Sequence, residues 1–436
     1  MNIGLTSEYF SPFAPGGAEW STLFLAQRLA KAHRVVVITP NYGAAPHEEK
    51  DGVVIERFAF PFKLGHGQRL VPYRYLSNLL FYAYSALQIA RQVKKHRLDI
   101  LHAHNKQILV GTVVAAKATG VPVVVSLRDY MVLCRYGMCL NAFDTHPDGC
   151  DLASYRQCVC DYLALYMPDI GAWRRTLVYV GAGYHRVDTT LKRAVLGRAD
   201  AAVTTSRKMR CIYVSRGLDP LRTLTIHNPM PEAGVLSPPS AGHHSGFHIL
   251  YAGKLSWGKG PHLLVEALPA IRRAVAPEPL SVTLAGQGPL RAHLKERVDT
   301  LGLADLVSFV GQLPYHVLQR LYVQADVVVV PSVWQEPFGR VALEALMCGT
   351  PVVVSSRGGL GEIVQDGTTG FIVEPKPKPI ADAVVRVLQS STLRLQVRDA
   401  LPGLRRRFGS DVVRLHVELY SRLLSGRPLD LAAPGE

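Results

Sequence analysis

The chain has 436 residues, 48% hydrophobic and 19% charged, which excludes a disordered or fibrous protein, and its length exceeds what one core sustains, so two domains are expected. The net charge of +15 is uneven, with 28 Lys and Arg against 16 Asp and Glu in residues 1–228 but 21 against 18 in residues 229–436. A basic first half favours anionic lipid or phosphate-bearing substrates, while scattered basic residues without an aromatic-rich or zinc-finger pattern argue against a nucleic-acid partner.

No apolar run reaches the ~20 residues that cross a bilayer, and MNIGLTS opens directly as a strand, without the order of a signal peptide. A cytoplasmic chain that meets membranes only as a peripheral protein is therefore expected. The loop PGGAEWSTLFLAQRLA follows the first strand and opens a helix. Gly16 and Gly17 there allow a ligand to approach backbone N–H groups at a helix amino end, although a plain strand-to-helix turn explains them as well. RVVVIT and VVIERF read as further strands, followed by ILHAH within DILHAHNKQ. His102 and His104 are taken to face opposite sides of that strand, with His104, nearer the carboxyl end, as the one that enters a ligand site.

PVVVSL is the next strand. Residues 130–184 then interrupt the alternation and read as an insertion into the first domain, a lid or an acceptor-docking element. It carries Cys134, Cys139, Cys150, Cys158 and Cys160, with aromatics and Arg174 and Arg175. Without a secretory leader, disulfides are not expected; the five cysteines are candidates for structural zinc or are ordinary thiols, because paired C-x-x-C knuckles are lacking. AAVTT and LTIH close the first domain, residues 1–228. The Pro-, Gly- and Ser-rich stretch over residues 229–247 reads as a linker.

The second domain, residues 248–404, opens with HILYAG and continues through SVTLAG, VSFVG, DVVVVPS, PVVVSS and FIV. Near-continuous hydrophobic strands like these belong to parallel sheets covered by helices on both faces, so both domains are expected to be doubly wound α/β units. In YAGKLSWGKGPHLLVEAL, Lys254 and Lys259 flank a strand-to-helix turn and are candidates for clamping a diphosphate, with decoration of an exposed loop as the bland alternative. In PSVWQEPFGRVALEALMCGTP a helix should begin near Gly339, with Glu336 in the preceding turn and Glu344 inside the helix. Both acids then lie at a strand's carboxyl end, where open α/β sheets bind ligands, whereas a solvated helix face explains one glutamate better than two. Gly358 and Gly359 in SSRGGLGEIVQDGTTGFIV are read as a further backbone approach to ligand. The tail, residues 405–436, has helical spacing and is expected to cross back to the first domain.

The order and spacing of GGAE, DILHAH, YAGKLSWGKG, LAGQGPL, VSFVGQL, PSVWQEPFGRVALEAL and GGLGEIVQDGTTGFIV resemble glycosyltransferase family 4. The resemblance spans most of the chain and is tightest around the two glutamates. It implies the GT-B fold, two Rossmann-like domains facing across a cleft, and a retaining transfer of sugar from a nucleotide-sugar donor to a glycan or lipid-linked acceptor, as in cell-envelope polysaccharide or glycolipid synthesis. It further implies that Glu336 contacts donor sugar hydroxyls, that Glu344 holds the nucleotide ribose, and that backbone N–H groups around Phe338, Gly339 and Arg340 meet sugar and phosphates. Lys254 and Lys259 match a cationic pair on the diphosphate, the first being more often Arg in the family; His104 matches a histidine near the sugar, and Gly16 and Gly17 lie beside the phosphates and acceptor. Glu336, His104, Lys254 and Lys259 are thus the expected catalytic residues. No D-x-D triplet occurs, which fits a metal-independent enzyme that needs no cofactor beyond its nucleotide-sugar co-substrate. A same-fold epimerase or hydrolase and a non-catalytic sugar-nucleotide binder are the alternatives.

Overall fold

The computed structural model describes residues 1–14, 16–65, 70–137, 150–167, 169–230 and 246–430. They fall into two compact units, the first within residues 1–135, 177–231 and 407–436 and the second within residues 136–176 and 232–406. The expected 229–247 linker lies almost wholly outside the described residues.

The first unit is built on β1 (Asn2–Ser7), β2 (Arg34–Pro40), β3 (His47–Lys50), β4 (Val53–Phe58), β5 (Ile100–His104), β6 (Val123–Leu127), β7 (Ala201–Thr204) and β8 (Thr223–Thr225). They form one sheet in the order β3-β4-β2-β1-β5-β6-β7-β8. Every pairing is parallel except β3 with β4. The edge strand β3, HEEK, carries no apolar signal and was not anticipated; its charged side chains protect an otherwise open edge. The buried Val-rich strands β2 and β6 occupy interior positions, as near-continuous apolar runs require.

Helices α1 (Gly17–Leu29), α2 (Leu79–His96) and α3 (Leu109–Thr119) precede α4 (Leu152–Tyr166), which groups with the second unit. The next helix, α5 (Ala172–Leu196), has its first five residues grouped with the second unit and the rest with the first; α6 (Arg207–Val214) follows in the first unit. The expected insertion is therefore not a simple addition to the first domain, since residues 136–176 belong to the second unit. Tyr136 packs edge-on against Tyr155 and Tyr162 within this segment, and Tyr166 at the end of α4 ties it to the second unit through the Gly258 backbone and the Lys254 ammonium, 6.0 Å from its ring centroid.

The second unit has β9 (Phe247–Ala252), β10 (Leu280–Ala285), β11 (Val307–Gly311), β12 (Val327–Val330), β13 (Val352–Ser355) and β14 (Gly370–Val373), all parallel, in the order β11-β10-β9-β12-β13-β14. Between them run α7 (Pro261–Val275), α8 (Arg291–Thr300), α9 (Tyr315–Gln324) and α10 (Arg340–Met347), with α11 (Pro377–Leu388) and α12 (Leu393–Arg405) closing the unit. Ile249, Leu264, Leu268, Leu284 and Val384 sit in its core.

The tail helix α13 (Asp411–Leu424) packs Val412, Leu415, Leu419 and Tyr420 into the same core as Leu5, Leu25 and Val37 of the first unit. Strand order reverses between β1 and β5 in one sheet and between β9 and β12 in the other. The carboxyl ends of those strands are where such sheets bind ligands.

Candidate functional site

In the second unit, β9 ends at Ala252 and the chain turns through Lys254 to a short 3-10 turn, Trp257–Lys259, before α7. Gly260 caps α7 with φ of +68°, and a Cβ there would lie 2.0 Å from the Pro331 carbonyl oxygen. Only glycine lets this turn press against the chain leaving β12, and that contact brings Lys259 to Glu336.

The Lys259 ammonium donates to both Glu336 carboxylate oxygens, at 2.9 and 2.8 Å, and lies 4.4 Å from the Trp334 ring centroid. Ser332 Oγ and Trp334 Nε1 donate to Glu336 Oε2 at 3.1 and 2.5 Å. Glu336 is buried, so four hydrogen bonds from three side chains replace the water a carboxylate would otherwise bind.

One turn further on, Gly339 with φ of +102° caps α10. Arg340 Nε donates to Glu344 Oε1 at 2.7 Å and Tyr322 Oη to Glu344 Oε2 at 3.0 Å. Glu344 is buried too, which rules out a solvated helix face for both acids. Phe338 lies buried between them in sequence.

Gly358 and Gly359 serve differently from expectation. The Gly358 N–H donates to Gln335 Oε1 and the Gly359 N–H to the Glu336 carbonyl, at 2.9 and 2.7 Å. These glycines clamp the loop that carries Glu336 and present neither amide to a ligand.

Lys254 is exposed, its ammonium 6.0 Å from the Tyr166 ring centroid at the end of α4. The structure thus forms two hydrogen-bonded clusters, Lys259 with Glu336 and Arg340 with Glu344, and Lys254 lies on the same turn as Lys259 but, among the described residues, in neither cluster.

In the first unit, His102 and His104 share one face of β5, with ring centroids 4.1 Å apart. The expectation of opposite faces fails because pleat period is two residues, so positions 102 and 104 point the same way. Arg128 donates through one guanidinium nitrogen to His104 Nδ1 and through another to Asn228 Oδ1, both at 2.8 Å. Burial, with His102 and Arg128 nearby, holds His104 well below its ordinary pKa. The imidazole is neutral, and because Nδ1 accepts, Nε2 carries the proton. His102 is internal, bonded to Tyr420 Oη at 2.6 Å and Ser126 Oγ at 2.8 Å.

A cavity of about 70 Å³ beside these strands is lined by Glu8, Glu19, Asn105, Lys106, Arg128 and Asp129. Burial pushes the Glu8 carboxyl up to about 7; Lys106 and the Gln107 N–H, which donates to Glu8 Oε2 at 2.6 Å, offset this only in part. Burial likewise raises Glu19, which accepts from Asn105 Nδ2 at 3.1 Å. Gly16 caps α1 in an extended conformation, and Gly17 begins the helix whose first turn holds Glu19.

Sequence reasoning missed the six charged and amide residues named in this cavity. For all but Glu19, which sits in the first turn of α1, the signal was available, since each of β1, β5 and β6 is followed at once by charged or amide residues, in SE, HNK and LRD.

Of the cysteines, Cys139 lies outside the described residues. Cys158 is buried and Cys150 exposed, and Cys158 and Cys160 point to different sides of α4. Among the described residues no group of three His, Cys, Asp or Glu is arranged to hold a metal ion. No helix among them is long and apolar enough to cross a membrane.

Two Rossmann-like units, each with ligand-ready polar groups at its switch point, define a GT-B protein. The family described as Glycosyl transferases group 1 matches residues 240–401, and that described as Glycosyl transferase 4-like domain matches residues 16–229. The chain belongs to the family 4 type of GT-B glycosyltransferases. It is 45% identical over 141 residues to an uncharacterized glycosyltransferase of Methanocaldococcus jannaschii, covering 32% of this chain and 35% of that protein. It is 40% identical over 141 residues to D-inositol 3-phosphate glycosyltransferase of Paenarthrobacter aurescens, covering 32% and 34%. The matched stretch thus spans about a third of the length of these relatives. The crystal structure of Anabaena HepE in complex with UDP and glucose superposes with a TM-score of 0.64 at 20% identity, covering 97% of this chain and 99% of that one.

Proposed function

We propose that this chain is a retaining, metal-independent glycosyltransferase that moves a sugar from a nucleotide-sugar donor to a glycan or lipid-linked acceptor in cell-envelope polysaccharide or glycolipid synthesis. The observation that carries the reading is the buried Glu336 carboxylate, held by Lys259, Ser332 and Trp334 at the carboxyl ends of β9 and β12. A carboxylate ringed by donors is ready to exchange them for sugar hydroxyls, and the ammonium it holds is ready to meet phosphate. HepE, similar in fold, binds UDP and glucose.

In this mechanism the second unit holds the donor, with Glu336 on sugar hydroxyls, Glu344 on the ribose, and backbone N–H groups of Phe338, Gly339 and Arg340 beside the phosphates. When the sugar–phosphate bond breaks, negative charge grows on the departing diphosphate; Lys254 and Lys259 stabilise it where it forms, and no metal is required for that step. The acceptor hydroxyl attacks from the face the diphosphate leaves, and a departing phosphate oxygen takes its proton. The neutral His104, fixed by Arg128 with Nε2–H as donor, and the Gly16–Gly17 loop serve sugar and acceptor from the first unit. The uneven positive charge supports work at the inner face of the cytoplasmic membrane on a lipid-linked acceptor.

The test is a thermal-shift screen against UDP-, GDP- and ADP-sugars, since a ligand that binds only the folded state raises its melting temperature. Transfer from the stabilising donor is then followed in chelator, with the anomeric configuration of the product read by NMR. Retained configuration with undiminished turnover supports the proposal; an inverted product or abolition by chelator refutes it, and sugar released at the same rate without acceptor identifies a hydrolase.

A further inference from the structure

Helix α5 is one uninterrupted helix of 25 residues, and its first half is solvent-exposed almost throughout. Along it Trp173, Leu177, Val180, Tyr184 and Val187 recur at alternating steps of four and three, the spacing that puts side chains on one face. Trp173, Val180 and Val187 are 73%, 71% and 69% exposed, so among the described residues most of this apolar stripe is left uncovered. At 1.5 Å per residue it is about 21 Å long.

The carboxyl-terminal half of α5 is anchored. Asp188 and Lys192 form a buried ion pair at 2.8 Å that also binds Ser77 and Tyr73, and the Tyr184 hydroxyl donates to the Ser77 carbonyl. That anchorage sets the start of α2 beside the stripe, where Leu79 and Leu80 are 72% and 84% exposed. Large apolar residues exposed together mark an interaction surface rather than ordinary surface scatter.

Charge identifies the partner. No Asp or Glu occurs from residue 170 to 187, where Arg174, Arg175 and Arg186 lie, nor from residue 57 to 98, the stretch that contains α2 and Arg74. A second copy docking through this face in a two-fold arrangement would bring two acid-free segments together and leave Arg174 of each without an acid to pair it. A nucleic acid would take the arginines but leave the leucines and valines without apolar contact. An anionic bilayer satisfies both features, because the stripe enters the boundary between headgroups and acyl chains while Arg174, about 100° round the helix, meets lipid phosphates and Arg175 and Arg186 form the polar face opposite the stripe.

We propose that the α5 stripe, extended by Leu79 and Leu80, docks the protein on the surface of an anionic phospholipid bilayer. This deepens the reading of a lipid-linked acceptor and rests on it for its purpose, yet docking is measurable without donor or acceptor, so each can fail alone.

The experiment is co-sedimentation of the full chain with vesicles of phosphatidylcholine alone and of phosphatidylcholine mixed with phosphatidylglycerol. Binding is expected to the mixed vesicles, to weaken as salt rises, and to fall roughly fivefold in Arg174→Ala. Val180→Asp, on the exposed stripe, should abolish it while thermal unfolding and nucleotide binding stay unchanged. Trp173 emission should shift to the blue on binding, with Trp173→Phe as control. Absence of binding to the mixed vesicles, equal binding to neutral ones, or binding untouched by Val180→Asp overturns the proposal. So does self-association on size-exclusion chromatography that Val180→Asp abolishes, which would make the face a contact between copies.

Discussion

Replacing Lys259 by alanine tests the electrostatics of the second unit directly. The Lys259 ammonium spans both oxygens of Glu336, and its side chain is 30% exposed against 11% for the glutamate. A charge-assisted contact to phosphate is worth about 2 kcal/mol here, toward the lower part of its usual range because of that exposure. The substitution also leaves the Glu336 carboxylate without its cation beside an incoming diphosphate, which adds roughly 1 kcal/mol of repulsion and desolvation at an effective dielectric typical of partly buried sites. Together these weaken nucleoside diphosphate binding by about 3 kcal/mol, on the order of a hundredfold.

Glu336→Ala should behave differently. It frees Lys259 for phosphate, so nucleoside diphosphate affinity stays within about threefold or improves, while transfer falls by several kcal/mol in barrier terms because contacts to the reacting sugar are lost. In Lys259→Ala/Glu336→Ala about 1 kcal/mol of binding should return, since the unpaired carboxylate is gone. Calorimetric titration with UDP, GDP and ADP reads all three variants. If Lys259→Ala binds its nucleotide as tightly as the wild type, or if the double variant recovers nothing, the assignment of Lys259 to the diphosphate is wrong.

Glu8→Gln should change the pH dependence of stability. The folded Glu8 pKa is raised from 4.5 to about 7, so between those values the folded state holds more protons than the unfolded one and stability falls as pH rises, by about 3 kcal/mol in full. The amide keeps an acceptor for the Gln107 N–H, so the variant should be more stable than wild type above pH 7 and match it near pH 4, as read by hydrogen exchange in β1 and β5. Taking the difference from wild type cancels the opposite slope of buried histidines such as His416, lowered to about 4. Gly260→Ala, forced into φ of +68° with its Cβ against the Pro331 carbonyl, should cost upward of about 1 kcal/mol and shift Lys259, so unfolding and nucleotide titrations should both worsen. Tyr420→Phe removes the hydroxyl bonded to the buried His102 Nδ1 and should destabilise the first unit by about 1–3 kcal/mol; equal chemical stability would deny α13 that role.

Fold class and the core of the candidate site were legible in the chain because they rest on local rules. VVVV and VVVS are apolar on both faces and so became interior parallel strands, and the Pro and Gly between β12 and α10 forced the turn that places Glu336 ahead of the helix and Glu344 within it. The charged strand β3 escaped because edge strands are specified by what they avoid rather than by an apolar pattern. The insertion's allegiance escaped because nothing local tells Tyr166 to meet Lys254 and Gly258, about ninety residues further along the chain.

The sequence alone determined which residues could carry charge to a strand's end, since that depends only on order along the chain. Tertiary structure decided which of them meet. Lys259 reaches Glu336 from 77 positions away because a glycine lets two loops touch, Arg128 reaches His104 across neighbouring strands, and Gly358 and Gly359 are turned inward on the Glu336 loop. Pairings of this kind depend on distances between segments remote in the chain, which backbone packing sets and composition does not encode.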